Sequence, residues 1–167
     1  GGDDTARKGG ASGKKAAVSA DGVEIAYSVE GKGSPALVFV HGWCFDQSSW
    51  KNQIPELAKS FAVVTVDLAG HGASGRGREE WTVEAFGKDV AAVIEKLGLE
   101  RAILIGHSMG GAVIAETARL VPDRVVALVG VDTYHNLEQE IPDAAVDQFL
   151  AAFRNDYGGT SRAFVKQ

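Results

Sequence analysis

Gly106-His107-Ser108-Met109-Gly110 places a serine between two glycines, directly after the apolar run Ala102 to Ile105 and directly before a helical pattern, Gly110 to Val121. A strand that turns straight into a helix needs glycine at the flanking positions so that the backbone can pass close, and it lifts the serine into the open. The helix that follows aims its unpaired N–H groups and the positive end of its dipole at the same point, where they stabilise an oxyanion. The chemistry that fits is attack by the Ser108 hydroxyl on a carbonyl carbon. The competing reading is a small residue filling a tight turn; a strand before and a helix after favour the nucleophile.

Such a serine needs a base and an acid. The chain has four histidines. His41 reads as an anchor of its own loop, and His71 sits in a Gly-rich turn. His107 adjoins Ser108, so its side chain leaves the backbone in another direction. His135, in the loop after the last strand, can approach the site but is also an ordinary polar loop residue. Asp132 ends a strand beside the serine turn, where the catalytic groups of open α/β sheets gather, and is the candidate acid; its alternative role is to cap the loop. Asp67 has a similar location and reads as a turn-former. Gly70-His71-Gly72-Ala73-Ser74-Gly75 spells G-x-G-x-x-G, but Arg76-Gly77-Arg78 follows and the next helix waits until Thr82, so the context of a dinucleotide site is missing. Cys44 has no evident base partner and reads as a packing residue. Trp43, Phe45 and Trp50 line an acyl pocket or fill the core.

The elements that must position these groups follow from periodicity. After the Asp21-Gly22 turn, Val23, Ile25, Tyr27 and Val29 alternate as in a half-buried strand. Four short runs, beginning at Ala36, Phe61, Ala102 and Val125, are apolar throughout, as in parallel strands covered on both faces. Helical stripes separate them. Trp50, Ile54, Leu57 and Ala58 form one. Phe86, Val90, Val93, Ile94 and Leu97 form another, opened by Thr82 and stopped by Gly98. The predicted class is α/β, a mostly parallel sheet with helices on both faces. After Asp132 the rhythm changes: Val146, Phe149, Leu150 and Phe153 make one amphipathic helix, which Gly158-Gly159 is expected to end.

Composition agrees with one globular domain. The 167 residues are 45% hydrophobic and 23% charged, and 17 basic against 22 acidic residues leave a net charge of −5. That balance argues against nucleic acid or an anionic membrane surface as the main partner. A single cysteine excludes an intrachain disulfide and a multi-cysteine metal site. No apolar run approaches the ~20 residues of a spanning helix, so no membrane insertion is expected. Residues 1–20 lack a hydrophobic signal core and read as a flexible tail. The expected protein is soluble, either cytoplasmic or exported with its signal already removed.

The motifs together resemble the α/β-hydrolase family. Beyond the serine elbow, His41-Gly42 looks like the family's oxyanion loop, Asp67 to Ser74 resembles the loop after its next strand, and Pro122-Asp123-Arg124-Val125 leads into Leu128 to Asp132 as the family enters the strand that follows. The resemblance spans about residues 21–132. It implies hydrolysis of a small ester, amide or related bond through an acyl-serine intermediate, with the Trp43 and Met109 N–H groups as oxyanion donors. It implies no metal or organic cofactor. Certain dehalogenases of the family take their acid from the Asp132 position, whereas most members take it one strand later. The family's histidine comes from a loop after two further strands, which are absent here. The expected organisation is therefore the N-terminal part of the core over 21–135, truncated before the last strands, and the start of a helical cap over 136–167. The base is expected from outside this chain. Besides a small-molecule substrate, the expected partner is a C-terminal fragment or a second copy, met through the exposed sheet edge along Val125 to Val131. A non-catalytic binder, a cofactor-free peroxidase and an acyltransferase on the same fold are the alternatives.

Overall fold

In the computed structural model, which describes residues 15–134, 138 and 140–165, six strands form one sheet. The strands are β1 (Lys15–Val18), β2 (Glu24–Glu30), β3 (Ala36–Val40), β4 (Val63–Val66), β5 (Ala102–His107) and β6 (Val125–Val131). Their order is β1-β2-β4-β3-β5-β6. β3 to β6 run parallel, while β1 and β2 are antiparallel additions at one side. The chain steps from β3 one way to β4 and then back past it to β5, so the crevice beyond the carboxyl ends of β3 and β5 is a topological switch point.

Alternation along the strands builds two cores. Val38, Val40, Val64, Val66 and Leu104 point to the face covered by α2 (Val83–Lys96) and α3 (Met109–Leu120), where they meet Phe86, Val90, Val93, Ile94, Val113 and Ile114. Leu37, Phe39, Val63 and Ile105 point to the other face, against Trp50, Ile54 and Leu57. That second cover is the stripe expected as one helix. It forms instead as a 3₁₀ turn at Gln47–Trp50 and a four-residue α1 at Ile54–Leu57, because Pro55 cannot donate and restarts the helix at its own first turn. α2 keeps its expected ends: the Thr82 hydroxyl accepts from Ala85 N–H at 3.1 Å, and Gly98 takes φ +61°.

Two expectations need correction. The tail expected over 1–20 is structured from Lys15, where β1 pairs with β2 from Lys15↔Tyr27 to Val18↔Glu24 and buries Ala17. Residues 1–14 lie outside the described residues. Gly158-Gly159 does not end the late helix. α4 (Asp143–Asn155) stops at Asp156, whose carboxylate accepts the Gly159 N–H at 2.8 Å and opens α5 (Tyr157–Val165). The chain divides after Tyr134 into two compact units, and in the second Phe149 and Phe153 pack ring to ring at 4.9 Å.

Candidate active site

The turn from β5 to α3 holds Ser108 at φ +51°, ψ −118°, a backbone conformation that costs a residue with a Cβ about 1–3 kcal/mol. The surroundings impose it. A Cβ on Gly106 would lie 2.3 Å from the Gly110 carbonyl oxygen, and one on Gly110 would lie 2.5 Å from that of Val40. Strand and helix therefore touch through bare backbone, the close approach that the two glycines predict. Ser108 donates its N–H to the Val131 carbonyl at 3.0 Å and accepts the Gly111 N–H at 2.9 Å. Its side chain makes no capping bond to the helix it precedes, and the residue is exposed. Met109 is the first residue of α3, where a helix has no carbonyl of its own to accept the N–H.

The loop after β3 abuts this turn. A Cβ on Gly42 would meet Ser108 Cβ at 3.2 Å and His107 Nδ1 at 2.9 Å, so a larger residue would have to push the His107 ring aside. Trp43 follows directly. His41, completely buried, holds the loop with both ring nitrogens: Leu68 N–H reaches Nε2 at 3.1 Å, and Nδ1 lies 2.8 Å from the Gly42 carbonyl oxygen. Burial pushes its pKa down; the bond to Gly42 acts the other way.

Asp132 follows β6, one residue past the Val131 carbonyl that takes the Ser108 N–H. The sheet thus brings Trp43, Ser108, Met109 and Asp132 to one end. Strain gathers there as well. Among the described residues the non-glycine positions with positive φ are Cys44, Ser108, Asp132 and Tyr134, all just beyond the carboxyl ends of β3, β5 and β6. Tyr134 braces the elbow, donating its hydroxyl to the Gly111 carbonyl at 2.6 Å.

The remaining candidates have structural employment. Asp67, 1% exposed, accepts from Gln47 N–H at 2.8 Å, from Gln47 Nε2 at 2.9 Å and from Ala73 N–H at 2.9 Å, which ties the loops after β3 and β4 together. His71 donates through Nδ1 to Ala69 O at 2.9 Å, and the His107 ring packs edge-on to Phe45 at 5.7 Å. His135 lies outside the described residues. No helix opens within Gly70 to Gly75; its loop continues to Thr82. Among the described residues no cluster of three His, Cys, Asp or Glu could hold a metal ion, and no helix is long and apolar enough to cross a membrane.

Sequence reasoning missed one buried network. Asp89, fully buried on α2, accepts from Ser19 Oγ at 2.6 Å, Ala69 N–H at 3.1 Å and both terminal nitrogens of Arg78, whose Nε donates to Asp21 at 2.7 Å. An aspartate on the inner face of an otherwise apolar helical stripe was the available signal. A cavity of about 540 Å³ beside Arg78 is lined by none of the four predicted site residues.

An open, mostly parallel sheet with a strained serine at the switch point defines a class. A family model of the alpha/beta hydrolase fold matches residues 35–166, and the chain belongs to that family. It is 37% identical over 115 residues to bifunctional epoxide hydrolase 2 of Sus scrofa, covering 67% of this chain and 20% of that protein. Among solved structures, Est816, described as an N-acyl homoserine lactone degrading enzyme, superposes with a TM-score of 0.79 at 29% identity over 90% of this chain and 56% of the other. A thermophilic esterase from Thermogutta terrifontis gives 0.73 at 31%, over 86% and 54%. The chain thus spans a fifth of that relative and just over half of each solved chain.

Proposed function

We propose that this chain carries the nucleophile and oxyanion half of a serine hydrolase acting on a small ester, amide or related bond. The observation that supports it most is the Ser108 backbone at φ +51°, ψ −118°, which presents the side chain between the Gly42 loop and the first turn of α3. In the proposed reaction Ser108 Oγ bonds to the carbonyl carbon and its proton passes to a histidine base. The carbonyl π pair moves onto oxygen, where the Trp43 and Met109 N–H groups receive it. Collapse breaks the bond to the leaving group, which takes the proton, and leaves an acyl-serine. Water then attacks, the base again taking and returning the proton, and frees acid and serine.

The base is a histidine supplied from outside these 167 residues. His41 has both nitrogens engaged, His71 donates Nδ1 to Ala69, and His107 packs on Phe45. Asp132 or a later carboxylate orients that base. Hydrolysis of p-nitrophenyl acetate tests this division of labour. The chain alone is expected to turn over little faster than Ser108→Ala, because a triad stripped of its base keeps only the help of its oxyanion donors. Robust hydrolysis lost in His135→Ala would overturn the outside base and assign that role to His135.

A further inference from the structure

Both ring nitrogens of His41 bond to backbone groups, and those neighbours dictate its tautomer. Leu68 N–H donates to Nε2 at 3.1 Å, so Nε2 carries the lone pair and the proton sits on Nδ1. Nδ1–H then donates to the Gly42 carbonyl oxygen at 2.8 Å. That carbonyl belongs to the same peptide unit as the Trp43 N–H. The only cis peptide bond among the described residues is Ser34–Pro35, so the Gly42–Trp43 unit is trans and its N–H points opposite to its C=O. Whatever fixes the Gly42 carbonyl therefore aims the Trp43 N–H. The Phe45 N–H also reaches this oxygen, at 3.2 Å, but it belongs to the same loop and moves with it. His41 ties the peptide to a different element, the end of β4.

We infer that His41, as the neutral Nδ1–H tautomer, is a positioning residue that orients the Gly42–Trp43 peptide so that the Trp43 N–H faces the oxyanion formed at Ser108. This rests on the nucleophile reading above. It also makes the donor sensitive to acid. A proton added at Nε2 sets donor against donor at Leu68, and the ring can no longer keep both bonds. Burial opposes that proton most strongly and the neighbouring His71 also opposes it; the Gly42 carbonyl, Asp67 and Asp46 favour it, while His107 stands across Gly42.

Two measurements test the inference. In the first, nitrogen-15 NMR of the wild-type chain follows the His41 ring and the Trp43 amide from neutral to acid pH. A single Nδ1–H tautomer is expected, with the Trp43 amide shifting in step with the His41 ring. An Nε2–H tautomer, or a Trp43 amide that ignores the His41 transition, overturns the inference even if no variant folds. In the second, a fluorophosphonate labels Ser108 in imidazole buffer, the imidazole standing in for the base. His41→Asn places an amide nitrogen where Nδ1 was and can keep the Gly42 bond; His41→Gln reaches only the Leu68 side. His41→Gln is expected to label about 10²-fold more slowly than wild type, the scale of one lost oxyanion donor, and His41→Asn to lose less. Equal loss in both, or the greater loss in His41→Asn, contradicts the positioning role. Labelling of Ser108→Ala at the wild-type rate contradicts the nucleophile reading instead.

Discussion

Leu104 of β5 and Leu128 of β6 are register partners in neighbouring parallel strands, and both sit in runs of uninterrupted apolar residues. Leu104 is fully buried, whereas Leu128 is 42% exposed. α2 and α3 cover the first; Val126, Leu128, Val129 and Val131 all stand exposed on the last strand of the sheet order. An apolar run therefore marks a strand of this sheet without telling how many of its faces are covered. The carboxyl ends of the same two strands show the reverse relation. Ser108 and Asp132 arrive together there because the backbone ladder, which β6 keeps whatever covers its side chains, sets the position.

The largest effect is expected at the flank of the covered region. Asp89→Ala leaves the two terminal nitrogens of the buried Arg78 without their carboxylate, with only Asp21 on Nε, and should cost about 3 kcal/mol in urea unfolding; a loss below 1 kcal/mol would mean that water already reaches the pair. Leu104→Ala is comparable, at about 2–5 kcal/mol with the cavity left behind. The covered region also contains a pH dependence. His41 is held neutral by burial in the fold but takes a proton near its ordinary value of about 6.5 once unfolded. Below that pH the unfolded chain binds more protons, so stability falls as pH falls, by at most about 1.4 kcal/mol per unit. Unfolding curves between neutral and mildly acid pH should show that slope, and His41→Asn should flatten it. The smallest effect belongs to β6. Leu128→Ala should change stability by only about 0.5 kcal/mol, the range of surface substitutions. If it costs as much as Leu104→Ala, the contrast between the two strands fails.

β6 should instead reveal itself in association. A flat apolar edge with side chains exposed pairs readily with another chain. Light scattering after size exclusion is expected to show a mass rising with concentration, and Leu128→Lys should lower it. A monomer at every concentration, with a cooperative thermal transition, would show that this edge tolerates water.

What the sequence made legible was local. The elbow could be read because its glycines, strand and helix are contiguous, and the caps at Thr82 and Gly98 because a cap is a property of neighbouring residues. β1 was missed because Lys15, Ala16, Ala17 and Val18 carry too little apolar bulk to announce a strand that only its partner β2 defines. The bonds from Asp89 to Ser19 and from His41 to Leu68 join residues 70 and 27 positions apart, and nothing in the local pattern pairs them. The open edge of β6 was expected, but the exposure of its side chains, read as covered on both faces, was not, because cover is a tertiary fact.

If Ser108 is the nucleophile, a covalent probe should trap it there. The 167-residue chain is incubated with a fluorophosphonate in imidazole buffer, and intact mass and peptide mapping are read against Ser108→Ala treated in parallel. A single phosphonyl adduct is expected, mapped to Ser108 and absent from the variant. An adduct of equal rate on another residue, or none on a folded wild-type chain, would contradict it.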